Sequence, residues 1–374
     1  MQDEAEPTSY SLFDPPVLLA EAPEGEEKSA VDELAATLLL TGATGLIGSH
    51  IATLFRDMGW NVRALVRPSS DVRYLEQLGC DFVLGDLTLP GTVDGAASGC
   101  VAVIHAAAQL GEPAPLERHV EVNVEGTRRV LKESIRAGVR RFVHISSVAV
   151  YGEPAGGFRV PIAEDAPLDQ PISTEDAYAL TKRMAEEVVH KAGDRIEWCV
   201  LRPDMVMGER DRLFTPRVMR WASRPVLITL GGGENDLPLV YAGNVALAAY
   251  LGATHERAAW RTYNVTDDGG LTQRTLVRIA SGRGPDAPVL AVPLPIAISA
   301  ARLVRGLGRV LPGVGRGSLT PRRIRLFAES DPYACELIRA EIGWKPTVTT
   351  EEGWRRAVEW FRASAAGPRR TTEA

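Results

Sequence analysis

Tyr178 and Lys182 stand four residues apart, a spacing that puts two side chains on one helix face about one turn from each other. An ammonium near a phenol favours the phenolate, so such a tyrosine exchanges protons nearer neutrality than its free pKa of about 10 allows. Ser146 and Ser147 precede the pair, and Thr41-Gly-Ala-Thr-Gly-Leu-Ile-Gly48 lies further upstream. Taken alone, the Tyr–Lys spacing is common on exposed helices. Behind a glycine-rich loop it points to alcohol–ketone redox chemistry, with a proton moving at oxygen in step with a hydride at carbon.

Gly42, Gly45 and Gly48 have G-x-x-G-x-x-G spacing directly after a strand-like run and at the opening of a helix. Glycines there permit a tight turn and let backbone N–H groups approach a pyrophosphate at the helix N-terminus. Enzymes that use NAD commonly carry Asp or Glu at the end of the second strand to hold the ribose. Here that place holds Val66, and Arg67 follows. A guanidinium suits the 2′-phosphate of NADP by its charge and its fork of donors. NADP is therefore the expected cofactor, with NAD the alternative.

No competing chemistry has the right residues. Cys80, Cys100, Cys199 and Cys335 are scattered, without ligand-like spacing to histidine, and read as buried reduced thiols of a cytoplasmic protein. No metal site is expected, and no paired carboxylates or Cys–His arrangement asks for another mechanism. His105, His144 and Glu164 read as structural or solvated.

The elements that must position these residues follow from the hydrophobic pattern. From Thr37 onward, short β-rich apolar runs alternate with amphipathic stretches, which signals a parallel sheet covered by helices on both faces. Strands are expected at 37–41, 61–66, 81–84, 101–105, 141–145, 197–201 and 263–266. Helices are expected at 48–58, 120–137, around Tyr178 and at 241–252. The fold class is α/β: a doubly wound parallel-sheet Rossmann fold with a smaller interleaved C-terminal substrate lobe. Its expected parts are an acidic, disordered leader (1–36), a nucleotide-binding core (37–207) and a loop-rich substrate-lobe segment (208–240). A return to the core (241–280), the rest of the lobe with a closing helix (281–363) and a flexible tail (364–374) complete the chain.

Hydrophobic residues make up 45% of the 374, ample for a core of this size. The net charge of −6 conceals an asymmetry: residues 1–33 carry ten acids against Lys28, which leaves the remainder at +3. That leader is rich in Pro, Glu and Ala and has little apolar periodicity, hence the expectation of disorder. No basic stripe is interleaved with aromatics, so nucleic acid is not an expected partner. No apolar run is long enough to span a bilayer.

In order and spacing, the chain resembles the extended short-chain dehydrogenase/reductases over roughly residues 37–363. The glycine loop, Gly85-Asp86-Leu87, His105-Ala-Ala-Ala108, Asn123-Val-Glu-Gly-Thr127, Ser146-Ser-Val-Ala-Val-Tyr-Gly152, Tyr178-x-x-x-Lys182 and Leu201-Arg-Pro203 carry the likeness. So do Ile342-Gly-Trp-Lys-Pro346 and Glu352-Gly-Trp354 near the end. Val62–Pro68 is similar to dihydroflavonol and cinnamoyl-CoA reductases, and 288–321 to the 3β-hydroxysteroid dehydrogenase branch.

The resemblance implies Ser147, Tyr178 and Lys182 as the catalytic triad, with Ser146 next in line. It implies that Thr44, Leu46 and Ile47 join the glycines along the dinucleotide and that Asp86 and Leu87 meet the adenine. Ala106, Ala107, Ala108, Asn123 and Ser146 would lie along the cofactor, and Pro203, Met205 and Val206 would border the nicotinamide. Lys182 would also bond the ribose, and a homodimer through two helices is implied.

Two departures narrow the expectation. Met207-Gly-Glu-Arg210 replaces the frequent Tyr-Gly-Pro-Gly run, which argues against nucleotide-sugar contacts, and the acid after the second strand is missing. The expected function is NADP(H)-preferring interconversion of a secondary alcohol and a ketone on a rather apolar small molecule. The alternatives are an NAD-dependent sugar-nucleotide epimerase or dehydratase and a non-catalytic NADP-binding regulator. Leu294–Leu311, read as a helix from Ile296, places Arg302, Arg305 and Arg309 on one face and Ile298, Ala301, Val304 and Leu307 towards another. Such a surface suits either a packed helix with solvated arginines, a substrate lid or peripheral membrane contact.

Overall fold

The computed structural model describes residues 36–366 other than 111–113, 154–161, 285–286, 311–320 and 330–332. The acidic leader before residue 36 and the tail from 367 therefore lie outside the described residues.

Thr37–Thr41 forms β1, with every residue after the first buried. A strand covered on both faces has no polar side to present, which is why its sequence reads as a continuous apolar run. The glycine loop turns the chain into α1 (Leu46–Asp57), two residues earlier than the pattern predicts. β2 (Asn61–Val66), α2 (Arg73–Gln77) and β3 (Asp81–Leu84) complete the first half. β4 (Ala102–His105) then starts the second half on the other side of β1.

The single helix expected over 120–137 is composite. α3 (Leu116–His119) passes through a π-helical turn, Val120–Glu125, into α4 (Gly126–Arg136). Such a turn accommodates an extra residue and recurs at functional sites; here it contains Asn123, 1% exposed. β5 (Arg141–Ile145), α5 (Ala177–His190) and β6 (Glu197–Pro203) follow, and β6 runs two residues past its expected end.

After β7 (Met205–Met207), the segment expected to be loop-rich, 208–240, holds regular structure: α6 (Phe214–Ala222), β8 (Leu227–Leu230) and the start of β9 (Leu239–Tyr241). Its strands, of four and three residues, are too brief to show periodicity. α7 (Ala242–Thr254) and β10 (Arg261–Val265) return to the sheet. The chain closes with α8 (Gln273–Ser281), β11 (Val289–Val292), α9 (Leu294–Val310), α10 (Pro321–Ala328), α11 (Glu336–Ile342) and α12 (Thr350–Ala366).

The main sheet is parallel with order β3-β2-β1-β4-β5-β6-β10. Alternation divides β1 between two cores. Leu38 and Leu40 pack with Ile51 and Phe55 of α1 and Val245 and Ala249 of α7. Leu39 packs on the other face with Val130 of α4 and Val189 of α5. Strand order reverses between β1 and β4, and ligands of doubly wound sheets bind in the crevice outside that point.

A third core joins Tyr241, Leu276, Val218 and Trp354 beneath the later segments. α10 reaches back towards the site through an Arg325–Glu153 ion pair, and Asn235 and Gln273 both donate to Phe327 O at its end.

Candidate active site

The glycine loop fits a dinucleotide by what it excludes. Gly42 has φ +73°, and a Cβ there would stand 2.6 Å from Ala107 N. A Cβ on Gly48 would stand 2.2 Å from Gly42 O. These contacts press the first turn of α1 onto the ends of β1 and β4, beside Ala106, Ala107 and Ala108. Gly45 caps α1 without a side-chain bond, and the first turn carries no acid. Its N–H groups and dipole thus present a site for an anion, with Thr44, Leu46 and Ile47 partly accessible beside it.

Arg67 is exposed just past β2, with its backbone N–H on Ser70 Oγ at 3.1 Å. Asp86 lies near enough for Arg67 to help lower its carboxyl pKa, after the Thr88 backbone bond that contributes most. Both Thr88 N and Thr88 Oγ1 donate to Asp86 Oδ1 at 2.8 Å. Asp86 is thereby a turn-forming residue whose place beside Arg67 suits an adenosine. Leu87 is buried, and its carbonyl accepts from Arg129.

Asn123 makes its bonds within the protein. Its Oδ1 accepts from Gln109 N at 2.7 Å, and its Nδ2 donates to Thr181 Oγ1 at 3.0 Å. It ties the loop after β4 to α5 one residue before Lys182. Pro203 ends β6, and Met205 and Val206 are half-buried just beyond it, in β7.

Asp176 opens α5 by accepting from Ala179 N at 3.3 Å, which places Tyr178 in the first turn. Ser147 opens the 3-10 turn Val148–Tyr151 and accepts from Ala149 N at 3.2 Å. The Ser147 hydroxyl lies close enough to the Tyr178 phenol to lower its pKa. Lys182, 2% exposed, donates to Ile145 O at 2.6 Å. The structure brings all three expected residues to the carboxyl ends of β5 and β6.

The electrostatics correct one expectation. Burial pushes the Tyr178 phenol up to about 12, and the Ser147 hydroxyl offsets only part of that. The Lys182 ammonium is held by a backbone carbonyl, and burial, opposed by Glu186, lowers it to about 8. Desolvation of the phenolate therefore sets the direction at Tyr178, and Lys182 is not among the groups that shift it.

Ser146 does not face the same way as Ser147. Its Oγ donates to Glu186 Oε1 at 2.5 Å, so its hydroxyl serves the interior. Arg202 grips the same carboxylate, with NH2 to Oε2 at 2.7 Å and Nε to Oε1 at 3.0 Å, and gives NH1 to Tyr151 OH at 2.8 Å. Glu186 is not among the residues expected at the site. Its signal was legible: it lies four residues beyond Lys182, on the same helix face.

Glu209 and Arg210 had no such signal. Glu209 meets His50 Nε2 at 3.1 Å and accepts from Tyr241 OH at 2.9 Å. Arg210, at φ +68°, donates to Ser49 Oγ at 2.9 Å and lies 4.1 Å above the Tyr74 ring. The unusual Met207–Arg210 segment thus docks the chain after β6 onto α1.

The histidines are interior. Thr127 Oγ1 donates to Asn123 O at 2.6 Å and meets His105 Nε2 at 3.0 Å, which assigns that ring proton to Nε2. His105 Nδ1 then accepts from Thr41 Oγ1 at 2.7 Å. Burial lowers His105 to about 3, and His144 stacks on it at 5.6 Å. Glu164 accepts from Asn264 N at 3.2 Å.

Comparison with known proteins agrees with this fold. Residues 38–266 match the NAD dependent epimerase/dehydratase family. A 2-alkyl-3-oxoalkanoate reductase of Stenotrophomonas maltophilia (strain K279a) is 28% identical over 341 residues, covering 88% of this chain and 99% of the relative. 3beta-hydroxysteroid-dehydrogenase/decarboxylase isoform 2 of Arabidopsis thaliana is 28% identical over 300 residues; the match covers 76% of this chain and 53% of that longer protein. A solved short-chain dehydrogenase/reductase superfamily protein from Agrobacterium tumefaciens, with bound NAD, superposes with a TM-score of 0.64 at 25% identity. That match covers 88% of this chain and 98% of the other.

Proposed function

The chain belongs to the NAD dependent epimerase/dehydratase family, and from that premise we propose an NADP(H)-preferring oxidoreductase that interconverts a ketone and a secondary alcohol on a fairly apolar small molecule. The family makes it an NAD(P)-binding enzyme of the extended short-chain dehydrogenase/reductase type. The observation that carries the finer reading is the convergence of Ser147, Tyr178 and Lys182 at one strand end.

A bound nicotinamide ring supplies or accepts the hydride. Tyr178 gives its proton to the carbonyl oxygen during reduction. Because burial keeps the phenol protonated at neutral pH, reduction is the direction that its resting state suits. Ser147 donates to the same oxygen and shares the charge that builds there. Lys182 would hold the nicotinamide ribose, its position set by Ile145 O.

Arg67 supports the NADP preference, since an exposed guanidinium past β2 can pair with a 2′-phosphate. Met205 and Val206 supply apolar surface beyond β6. The ketone and steroid substrates named for the two relatives point the same way. All four cysteines are free and buried, which supports placement in a reducing compartment such as the cytoplasm.

A panel of aliphatic, aromatic and steroidal ketones, followed by nicotinamide absorbance with NADPH and NADH, tests the proposal. Faster oxidation of NADPH by apolar ketones is the expected result. Tightly retained NAD, with epimerisation of sugar nucleotides and no net turnover, would replace this reading with the epimerase alternative.

A further inference from the structure

One peptide group links the buried charges to the triad. The Ile145–Ser146 peptide accepts from Lys182 through its carbonyl at 2.6 Å and donates to Leu201 O through its N–H at 2.7 Å. The Ser146 side chain on that peptide donates to Glu186 at 2.5 Å. Glu186 is 1% exposed, shares α5 with Lys182 one turn away, and is held from below by Arg202.

We propose that Glu186 is a positioning residue of the active site: it fixes the Ile145–Ser146 peptide that receives the Lys182 ammonium, and it sets a negative charge one helical turn from that ammonium in the interior. The inference rests on Lys182 being part of the triad.

Burial alone disfavours a charged lysine, and Glu186 is the group that opposes this at Lys182. The other titratable neighbours do not replace it. His105 and His144, from the sheet, are held neutral by burial, and the Lys182 ammonium lowers them further. His190 and Arg183, on α5 itself, also feel Glu186. Tyr178 and Tyr151 are phenols pushed up by burial. Glu164, half-buried in the loop, is itself acted on by Arg202, while Glu187 is solvent-facing and within reach of Lys191. Arg202 orients both oxygens of Glu186, so the carboxylate cannot turn away from Ser146.

The test is direct titration of Lys182 by NMR of the full chain labelled with [ε-13C]lysine. The sequence has only Lys28, Lys132, Lys182, Lys191 and Lys345, and Lys182→Met assigns the signal. Glu186→Gln keeps an oxygen for Ser146 but removes the charge, and should lower the Lys182 pKa by about one unit. Glu186→Asp should stay nearer the wild type, while Ser146→Ala, with the charge retained, should shift the titration least.

Removing one partner of a buried pair can prevent folding. Glu186→Gln with Arg202→Met removes both charges and should still lower the lysine's pKa. An unchanged titration in the folded variants, or equal shifts for Gln and Asp, would overturn the inference. Turnover does not enter this readout: a wild type inactive on every ketone counts against the reductase reading, whereas an unmoved titration counts against Glu186.

Discussion

Ser146 Oγ lies 2.5 Å from Glu186 Oε1, while its neighbour Ser147 acts on the phenol of Tyr178. Successive residues of an extended segment point to opposite sides, so one hydroxyl enters the interior and the other the cleft.

The two serines should therefore fail differently. Ser147→Ala should cut kcat by about 10²-fold, the usual scale for one lost donor to a developing oxyanion, with little change in Tm. Ser146→Ala removes a hydrogen bond to a buried carboxylate and should cost roughly 1–3 kcal/mol of stability. Steady-state turnover and thermal melts on both variants check this; the reverse pattern would reassign the catalytic hydroxyl to Ser146.

The pH dependence should have opposite signs in the two directions. Reduction needs a protonated Tyr178, and a phenol held at about 12 stays protonated across the neutral range. Lys182 loses its proton near 8, so kcat/KM for the reduced cofactor, which reports the free enzyme, should be level below that pH and fall above it. Alcohol oxidation needs the phenolate and should speed up as pH rises. A reduction rate that climbs through pH 8–9 would contradict the assignment.

Arg67→Ala should separate the two dinucleotides. Losing charge-assisted bonds worth roughly 1.5–3 kcal/mol corresponds to about a 10- to 100-fold higher Kd for NADP. Binding of NAD should barely move, since its ribose carries no phosphate there. Fluorescence titration with NADPH and NADH measures both; equal losses would mean that Arg67 acts through the fold.

α9 offers a surface test. Ile296 and Leu303 are 60% and 65% exposed, and a groove of about 410 Å³ runs between Pro295, Ile296, Ser299, Ala300 and Leu303. Arg302 is exposed on the same helix. Ala301 faces inward and Val304 outward, so the apolar side expected from the sequence is divided. The side chains of Arg305, Leu307 and Arg309, and Leu311 itself, lie outside the described residues. No helix among the described residues is long and apolar enough to cross a membrane. If α9 rests on a lipid surface, Ile296→Glu with Leu303→Glu should abolish co-sedimentation with anionic liposomes and leave turnover of a water-soluble ketone intact. Equal recovery of variant and wild type in the pellet would exclude the contact.

Much of the fold was legible because local physics dictates it. A buried parallel strand reads as an apolar run, and a glycine loop between strand and helix has few other uses. The spacing of Tyr178 and Lys182 is likewise a property of one helix. Where an element is short, as in β7 to β9, periodicity has no room to appear; where a helix is interrupted, as at Asn123, the pattern still looks continuous.

The sequence by itself determined which residue types meet at the carboxyl ends of the strands, since their order along a doubly wound chain leaves little choice. Only the tertiary structure decided which serine faces the cleft, that Lys182 is held by Ile145 O, and that Glu209 and Arg210 grip α1. It also decided the direction of the Tyr178 shift. Desolvation depends on everything packed around a group, and that packing is absent from the spacing of two residues on a helix.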